Sequence, residues 1–488
     1  MPSPACCDLP PAVPSEWYKL NEMISQLLRP DFLKDRGVEL AEGLERHAAQ
    51  LDRADADVQA EAQEEGVTVE DLRAAKVTLE SLGNEEFTRS DTEAAWLPRD
   101  AHVSILQSGL EEFYHTVHAV VDSAPAGLTG AGVPDVTGES LKPEWIPTPS
   151  HGLVRQMETG DLAGWGLSFA VAKAIKLRKG LHDFREVKHK PFPLDGPVRL
   201  VMCADWASGL PRAQKVARKM SARIDSLGGE GRNVQVIDLG DTYYAGRDFE
   251  YRAHRSGYWP VTETQAEKVG SWCLNGNHDM FPGGHFYFRF LDEDKRFSRQ
   301  KGCSYFALET SRWLILGLDS AYEAEGPSGD GGGLMSPQLR WLLELRASRA
   351  DKRLMLLSHH QLFSGYEHDS PLLMNRLEPL LNSGKPIDAW FWGHEHRCAV
   401  YHPTPAVHFP VLMGHGGVPV FAQNRPKPPN VLFEYKGVRP GGILKKHAML
   451  GFVVVDLDED RATVEFVNEE GMPHDRFAST GYGDWKKI

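Results

Sequence analysis

Cysteine is scarce in this sequence, with six residues in 488. That is too few for a disulfide framework in so long a chain. Cys203, Cys273 and Cys398 stand in strand-like or motif-flanking stretches, so they read as reduced thiols of a cytoplasmic protein. Long apolar runs are missing too. No stretch approaches the roughly 18 residues that cross a bilayer, and no membrane partner is expected. The opening Met1-Pro2-Ser3-Pro4-Ala5-Cys6-Cys7-Asp8 has neither a basic nor an apolar segment, so no secretory leader is expected. There is no basic excess. Net charge is −14, and residues 1–150 hold 28 Asp and Glu against 11 Lys and Arg. Nucleic-acid binding needs a cationic footprint to neutralise phosphates, which argues against that role. What remains is globular: 41% hydrophobic and 25% charged residues, enough for a large core. At about 150 residues per domain the length suggests two or three domains.

Residues 1–122 read as an acidic helical region. Gly37–Ala60 and Val69–Leu82 are rich in helix formers, and His102–Val121 places Ile105, Leu106, Leu110, Phe113, Val117 and Val121 on one face. An amphipathic bundle with a solvated acidic face accounts for this pattern; self-association or regulation through these helices is the alternative. Residues 123–196 form a linker rich in proline and glycine, followed by a helix over Leu162–Leu181. From residue 197 the texture changes. Val198–Cys203, Val234–Leu239, Ser271–Leu274, Trp313–Leu318, Leu354–Leu357 and Ile387–Trp392 are short and apolar, as strands buried on both faces are. Ala213–Ser226 and Ser336–Ser348 have helical period, the second capped by Ser336 with Pro337 at its first position. Met449–Leu457 and Ala462–Asn468 resemble a closing hairpin. This alternation predicts an α/β layered catalytic domain over 197–475, with 476–488 as a C-terminal tail.

Polar, metal-competent residues follow five of the buried runs. They are Asp205, Asp241, Asn277-His278-Asp279, His359-His360 and His394-Glu395-His396. Open α/β sheets place ligand sites at this carboxyl edge. Carboxylate, imidazole, amide and phenol donors suit Fe, Mn, Zn or Mg rather than soft metals. The donors outnumber what one ion accepts, so two ions are implied. Two cations about 3.5–4 Å apart need a bridging anion, which a shared carboxylate can supply.

Asp205, Gly240-Asp241-x-x-Tyr244, Gly276-Asn277-His278-Asp279, His359 and Gly393-His394-x-His396 together resemble the calcineurin-like metallophosphoesterase superfamily. The Gly-Asp-x-x-Tyr element makes the chain most similar to the purple acid phosphatase branch. The resemblance implies an αββα sandwich of two mixed sheets flanked by helices. It also implies that Asp205, Asp241, Tyr244 and His396 hold a first metal. Asp241 bridges to a second, held also by Asn277, His359 and His394. His278, aided by Asp279, would orient the phosphate and protonate the leaving group, and His360 and His415 are candidate substrate contacts. His285 is a weaker candidate. The superfamily's Asp-x-His is here Asp205-Trp206-Ala207, so a phenol replaces an imidazole. A phenolate favours a trivalent ion, which suggests Fe(III) at the Tyr244 site and Zn(II), Mn(II) or Fe(II) at the second. Tyr243 is the competing oxygen, but family spacing favours Tyr244.

The function so implied is hydrolysis of a phosphate ester by a metal-bound hydroxide, in first place by a phosphomonoesterase of purple-acid-phosphatase type. The alternative is a phosphodiesterase or nucleotide pyrophosphatase with the same site, and a third reading is a non-catalytic scaffold. Scaffolds on this fold lose ligands, whereas all seven ligand positions are filled here. A protein serine/threonine phosphatase is disfavoured because its arginine in the second block is replaced by Tyr244-Ala245-Gly246. The expected partner is a phosphorylated small molecule or nucleotide.

Overall fold

A computed structural model describes Ala172, Ile175, Lys176 and residues 179–488, apart from 226–230, 325–330, 367–368, 419–426 and 439–447. The acidic helical region, the proline- and glycine-rich linker and most of the Leu162–Leu181 helix lie outside the described residues. The fold opens with β1 (Phe192–Pro193), β2 (Val198–Cys203), helix α1 (Pro211–Asp225), β3 (Asn233–Asp238) and β4 (Gly270–Cys273). Helix α2 (His285–Glu293), β5 (Phe306–Glu309), β6 (Trp313–Leu318), α3 (Ser336–Ser348), β7 (Arg353–Ser358), α4 (Pro371–Leu381) and β8 (Ala389–Trp392) follow. Then come β9 (Cys398–Tyr401), β10 (Pro410–Met413), β11 (Val431–Glu434), β12 (Gly451–Asp458), β13 (Arg461–Asn468), β14 (Pro473–Ser479) and β15 (Lys486–Lys487).

Among the described residues these strands form two mixed sheets. One runs β15-β14-β13-β12-β2-β3-β4, the other β1-β5-β6-β7-β8-β10-β9-β11. Strands β2, β3 and β4 are mutually parallel, as are β6, β7, β8 and β10. Their carboxyl ends therefore share an edge within each sheet.

Strand alternation sorts the side chains into layers. Leu200 and Met202 of β2 join Met355, Leu357, Phe391 and Val411 in the core between the sheets. Val201 and Cys203 point the other way, onto Ala213, Val216 and Met220 of α1. On the far side, Leu354, Leu356 and Trp390 pack against Leu342 of α3 and Leu373, Leu377 and Leu380 of α4. The result is an αββα sandwich, as the resemblance implies.

The structure departs from expectation in several places. Met335, not Ser336, occupies the N-cap of α3, so Ser336 and Pro337 lie inside its first turn. Helix α2 is unforeseen because it is built largely of aromatic residues, with Phe286, Tyr287, Phe288 and Phe290 buried. Helix α4 is unforeseen because Pro371 and Pro379 interrupt its pattern. Residues 476–488 are no tail: Phe477 and Ala478 pair with Lys487 and Lys486 at the sheet edge, and Phe477 is buried in the inter-sheet core.

Leu357 is wholly buried between the sheets. Leu357→Ala should destabilise the domain by about 2–5 kcal/mol, read as a lowered midpoint in urea unfolding followed by tryptophan fluorescence.

Candidate metal centre

The turns after β2, β3, β4, β7 and β8 meet where the carboxyl edges of the two sheets come together. Three of the converging residues adopt the left-handed backbone conformation that side chains other than glycine rarely take: Asp205 (φ 54°), Asp241 (φ 69°) and His394 (φ 69°). Such conformations cost of order 1–3 kcal/mol each and persist where surrounding contacts over-determine them. Those contacts are present. The Asp205 amide donates to the Gly240 carbonyl at 3.1 Å, and the His394 amide donates to Asp205 Oδ2 at 2.8 Å. Gly276 is required by crowding, since a Cβ there would lie 2.0 Å from Asp241 Oδ1.

The donors fall into two groups. In the first, the Tyr243 hydroxyl lies 2.8 Å from Asp205 Oδ1, 2.8 Å from Asp241 Oδ2 and 2.9 Å from His396 Nε2. In the second, Asn277 Oδ1 lies 3.1 Å from His359 Nε2 and 3.2 Å from His394 Nδ1. His359 Nε2 is also 3.4 Å from Asp241 Oδ2, so one carboxylate oxygen borders both groups. Ligand bonds of about 2.0–2.2 Å, in octahedral or tetrahedral arrangement, put neighbouring donors at such separations. Two cations sharing Asp241 therefore fit these donors.

The protonation states agree. Burial, with His360 and His359 nearby, keeps the His394 imidazole well below its ordinary value. Burial lowers His359 and His396 to about 3 each, against the pull of Asp241. All three rings are thus neutral, the form that ligates metal. His359 Nδ1 lies 3.1 Å from the Leu239 carbonyl, which fixes the tautomer and leaves Nε2 for a ligand bond. Burial and the charge of Asp241 push the Asp205 carboxyl well above the usual range. Burial would raise Asp241 as well, but His359 and His278 hold it below. Burial and the carboxylates of Asp205 and Asp241 hold the Tyr243 phenol well above its ordinary value; a bound cation reverses that logic.

The phenol in the cluster belongs to Tyr243, which corrects the expectation for Tyr244. Ala207 and Thr242 form a parallel bridge, and the Tyr243 amide donates to the Ala207 carbonyl at 3.0 Å. The second turn is thereby held beside the first, where the small Ala207 side chain stands instead of an imidazole. His254 Nδ1 lies 2.7 Å from the Tyr243 carbonyl and braces it from behind. Tyr244 acts through its backbone instead. Its carbonyl lies 2.7 Å from His278 Nδ1, and its amide donates to Glu250. The paired tyrosines with alanine at 207 were the available signal, and motif spacing alone misreads it.

The remaining candidates separate. His278 is buried with its Nε2 3.9 Å from Asp241 Oδ2, beside the cluster. Asp279 is not poised as a proton partner. Its carboxylate accepts from the amides of Asp241 (2.9 Å), Thr242 (3.1 Å) and Gly276 (2.7 Å) and from the Tyr251 hydroxyl, tying two ligand turns together. His360 borders the second group, with its Nδ1 3.0 Å from Ser320 Oγ. His415 turns away from the donors, towards Cys398 and His474. His285 Nε2 lies 3.1 Å from the Gly180 carbonyl at the start of α2, apart from the cluster.

Arg255 is a positioning residue that sequence patterns gave no reason to single out. Fully buried, its guanidinium donates to Asp238, to Thr242 Oγ1 at 2.8 Å and to the Asp241 carbonyl at 3.0 Å. It anchors the turn that carries both Asp241 and Tyr243.

The two sheets thus bring carboxylate, phenol, amide and imidazole donors to one shared edge. Residues 198–398 match the family model of calcineurin-like phosphoesterase. The segment that carries the donors is thus similar to that family, whose members generally bind two metal ions. It is 22% identical over 308 residues to tartrate-resistant acid phosphatase type 5 of Rattus norvegicus, covering 56% of this chain and 88% of the relative. Among solved structures it is similar to GAP50, the anchor in the inner membrane complex of Plasmodium, with 12% identity and a TM-score of 0.41. That match covers 60% of this chain and 89% of the other. A structure of PhoD aligns with 10% identity and a TM-score of 0.41, over 61% of this chain and 73% of PhoD. Among the described residues no helix is long and apolar enough to cross a membrane.

Removing Arg255 leaves Asp238 buried without its guanidinium. Arg255→Ala should cost about 3–5 kcal/mol of stability, measured by denaturant unfolding.

Proposed function

We propose that this site hydrolyses phosphate monoesters with two bound metal ions. The observation that carries the reading is the pair of donor groups sharing Asp241 Oδ2: Tyr243, Asp205 and His396 on one side, Asn277, His359 and His394 on the other. When bound, such cations acidify water and neutralise charge on phosphoryl oxygens. The chain's own residues do the rest. Asp241, its oxygens fixed by the His278 amide (3.1 Å) and the Tyr243 hydroxyl, holds the two groups in register. His278 is oriented through Nδ1 on the Tyr244 carbonyl, so Nε2 is the nitrogen that faces the cluster. In this reading Nε2 carries the proton given to the departing alkoxide. Asp279 and Arg255 keep the turns rigid. Substrate is a phosphorylated small molecule or nucleotide. A reducing, cytoplasmic setting is supported by the free thiols of Cys203, Cys273, Cys303 and Cys398.

We assign Fe(III) to the Tyr243 group, because a phenolate is a hard anionic donor, and Zn(II), Mn(II) or Fe(II) to the Asn277 group. Iron-loaded protein should show a visible tyrosinate-to-iron absorption that Tyr243→Phe abolishes and Tyr244→Phe retains. Loss in the Tyr244 variant instead would reverse the assignment.

Metal-stripped protein reconstituted with iron and zinc should cleave p-nitrophenyl phosphate faster than the bis-ester. A preference for the bis-ester would favour the phosphodiesterase alternative, and inactivity on both would overturn the hydrolytic reading. His278→Ala should retain both metals while losing about 10²–10⁴ in kcat on alkyl phosphates. Aryl esters with good leaving groups should suffer less.

A further inference from the structure

A second cluster of metal-competent side chains lies outside the catalytic donors. Cys398 opens β9, His415 follows β10 by two residues, and His474 belongs to β14. One donor atom from each lies within 4.8 Å of the others. Cys398 and His415 are buried, each 3% exposed, and the His474 side chain is 9% exposed.

The hydrogen bonding of the two imidazoles is one-sided. His474 Nδ1 lies 3.1 Å from Asp475 Oδ2, and His415 Nδ1 lies 3.3 Å from the Met413 carbonyl. In each ring Nε2 is buried and has no hydrogen-bond partner among the described residues. Ligating histidines show this arrangement: one nitrogen held by a carboxylate or carbonyl, the other presenting its lone pair to a metal. Burying two such nitrogens without partners is costly unless something meets them. Gly451 keeps the space open, since a Cβ there would lie 2.7 Å from His415 Nε2. The Tyr435 ring stacks on His474 at 3.5 Å between centroids and fixes its plane.

We propose that Cys398, His415 and His474 form a third metal site, for a borderline-soft divalent cation of the zinc type. One sulfur and two imidazole nitrogens select zinc over the hard cations that carboxylate and carbonyl oxygens prefer. Three protein donors leave a fourth position for a solvent molecule. Cys398 and His415 belong to the eight-stranded sheet and its turns, His474 to the seven-stranded one. The ion would staple the two sheets together, two residues downstream of His396.

The test uses the full chain, stripped of metal and titrated with Co(II), whose thiolate complexes absorb by sulfur-to-cobalt charge transfer. Wild type should bind one equivalent more than the catalytic pair accepts and develop that band. Cys398→Ser should lose both the band and the extra equivalent while keeping the other two. Asp475→Asn should weaken the extra site by about 10–100-fold. A wild-type titration without the band, or a band that persists in Cys398→Ser, overturns the proposal. If Cys398→Ser fails to fold, His474→Gln decides: a tenfold or greater weakening supports the site, unchanged Co(II) binding refutes it. Because the band reports sulfur ligation alone, this result is independent of whether the catalytic centre hydrolyses monoesters.

Discussion

Asp241 is the point on which the rest of the structure turns. One of its oxygens borders both donor groups, and the other is held by the His278 amide. A carboxylate in that position is tolerable only if its backbone is fixed, its charge is met and neighbouring chain segments can approach. Each demand has its own residue. Arg255 grips its carbonyl, the His278 amide and the Tyr243 hydroxyl donate to its oxygens, and Gly276 allows the third turn to pass close by. The two sheets are then constrained as well, because His359 and His394 come from one and Asp205 and Asn277 from the other.

The electrostatics of the donor cluster pull in opposite directions. Two buried carboxylates face a phenol and several neutral imidazoles. Burial with the charge of Asp241 drives Asp205 up, while His359 and His278 draw Asp241 down. Cations held by these donors would let both carboxylates stay ionised.

Much of the architecture is legible in the order of residues alone. The predicted runs Val198–Cys203 and Trp313–Leu318 coincide with β2 and β6, because strands buried on both faces announce themselves as short apolar segments. The positions of Asp205, Asp241, Asn277, His359, His394 and His396 follow from polar residues ending those runs. What escapes depends on packing between distant segments. Whether Tyr243 or Tyr244 joins the cluster is set by the pairing of Thr242 with Ala207, which spacing cannot express. Arg255, Asp279 and His415 look alike in sequence as polar residues near motifs. Only the fold assigns the first two to anchoring ligand turns and places the third beside Cys398 and His474.

The seven-stranded sheet also bears on how the molecule is made. Residues 198–202 of β2 are hydrogen-bonded to residues 453–457 of β12, and Arg199 pairs with Asp456 across that seam at 2.5 Å. During synthesis the exposed flank of β2 must wait for some 250 residues to emerge before its natural neighbour arrives. Unpaired strand flanks recruit other chains, and closing so large a loop is slow. The nascent domain therefore spends most of its translation with a sticky border uncovered, and it depends on its last strands for closure.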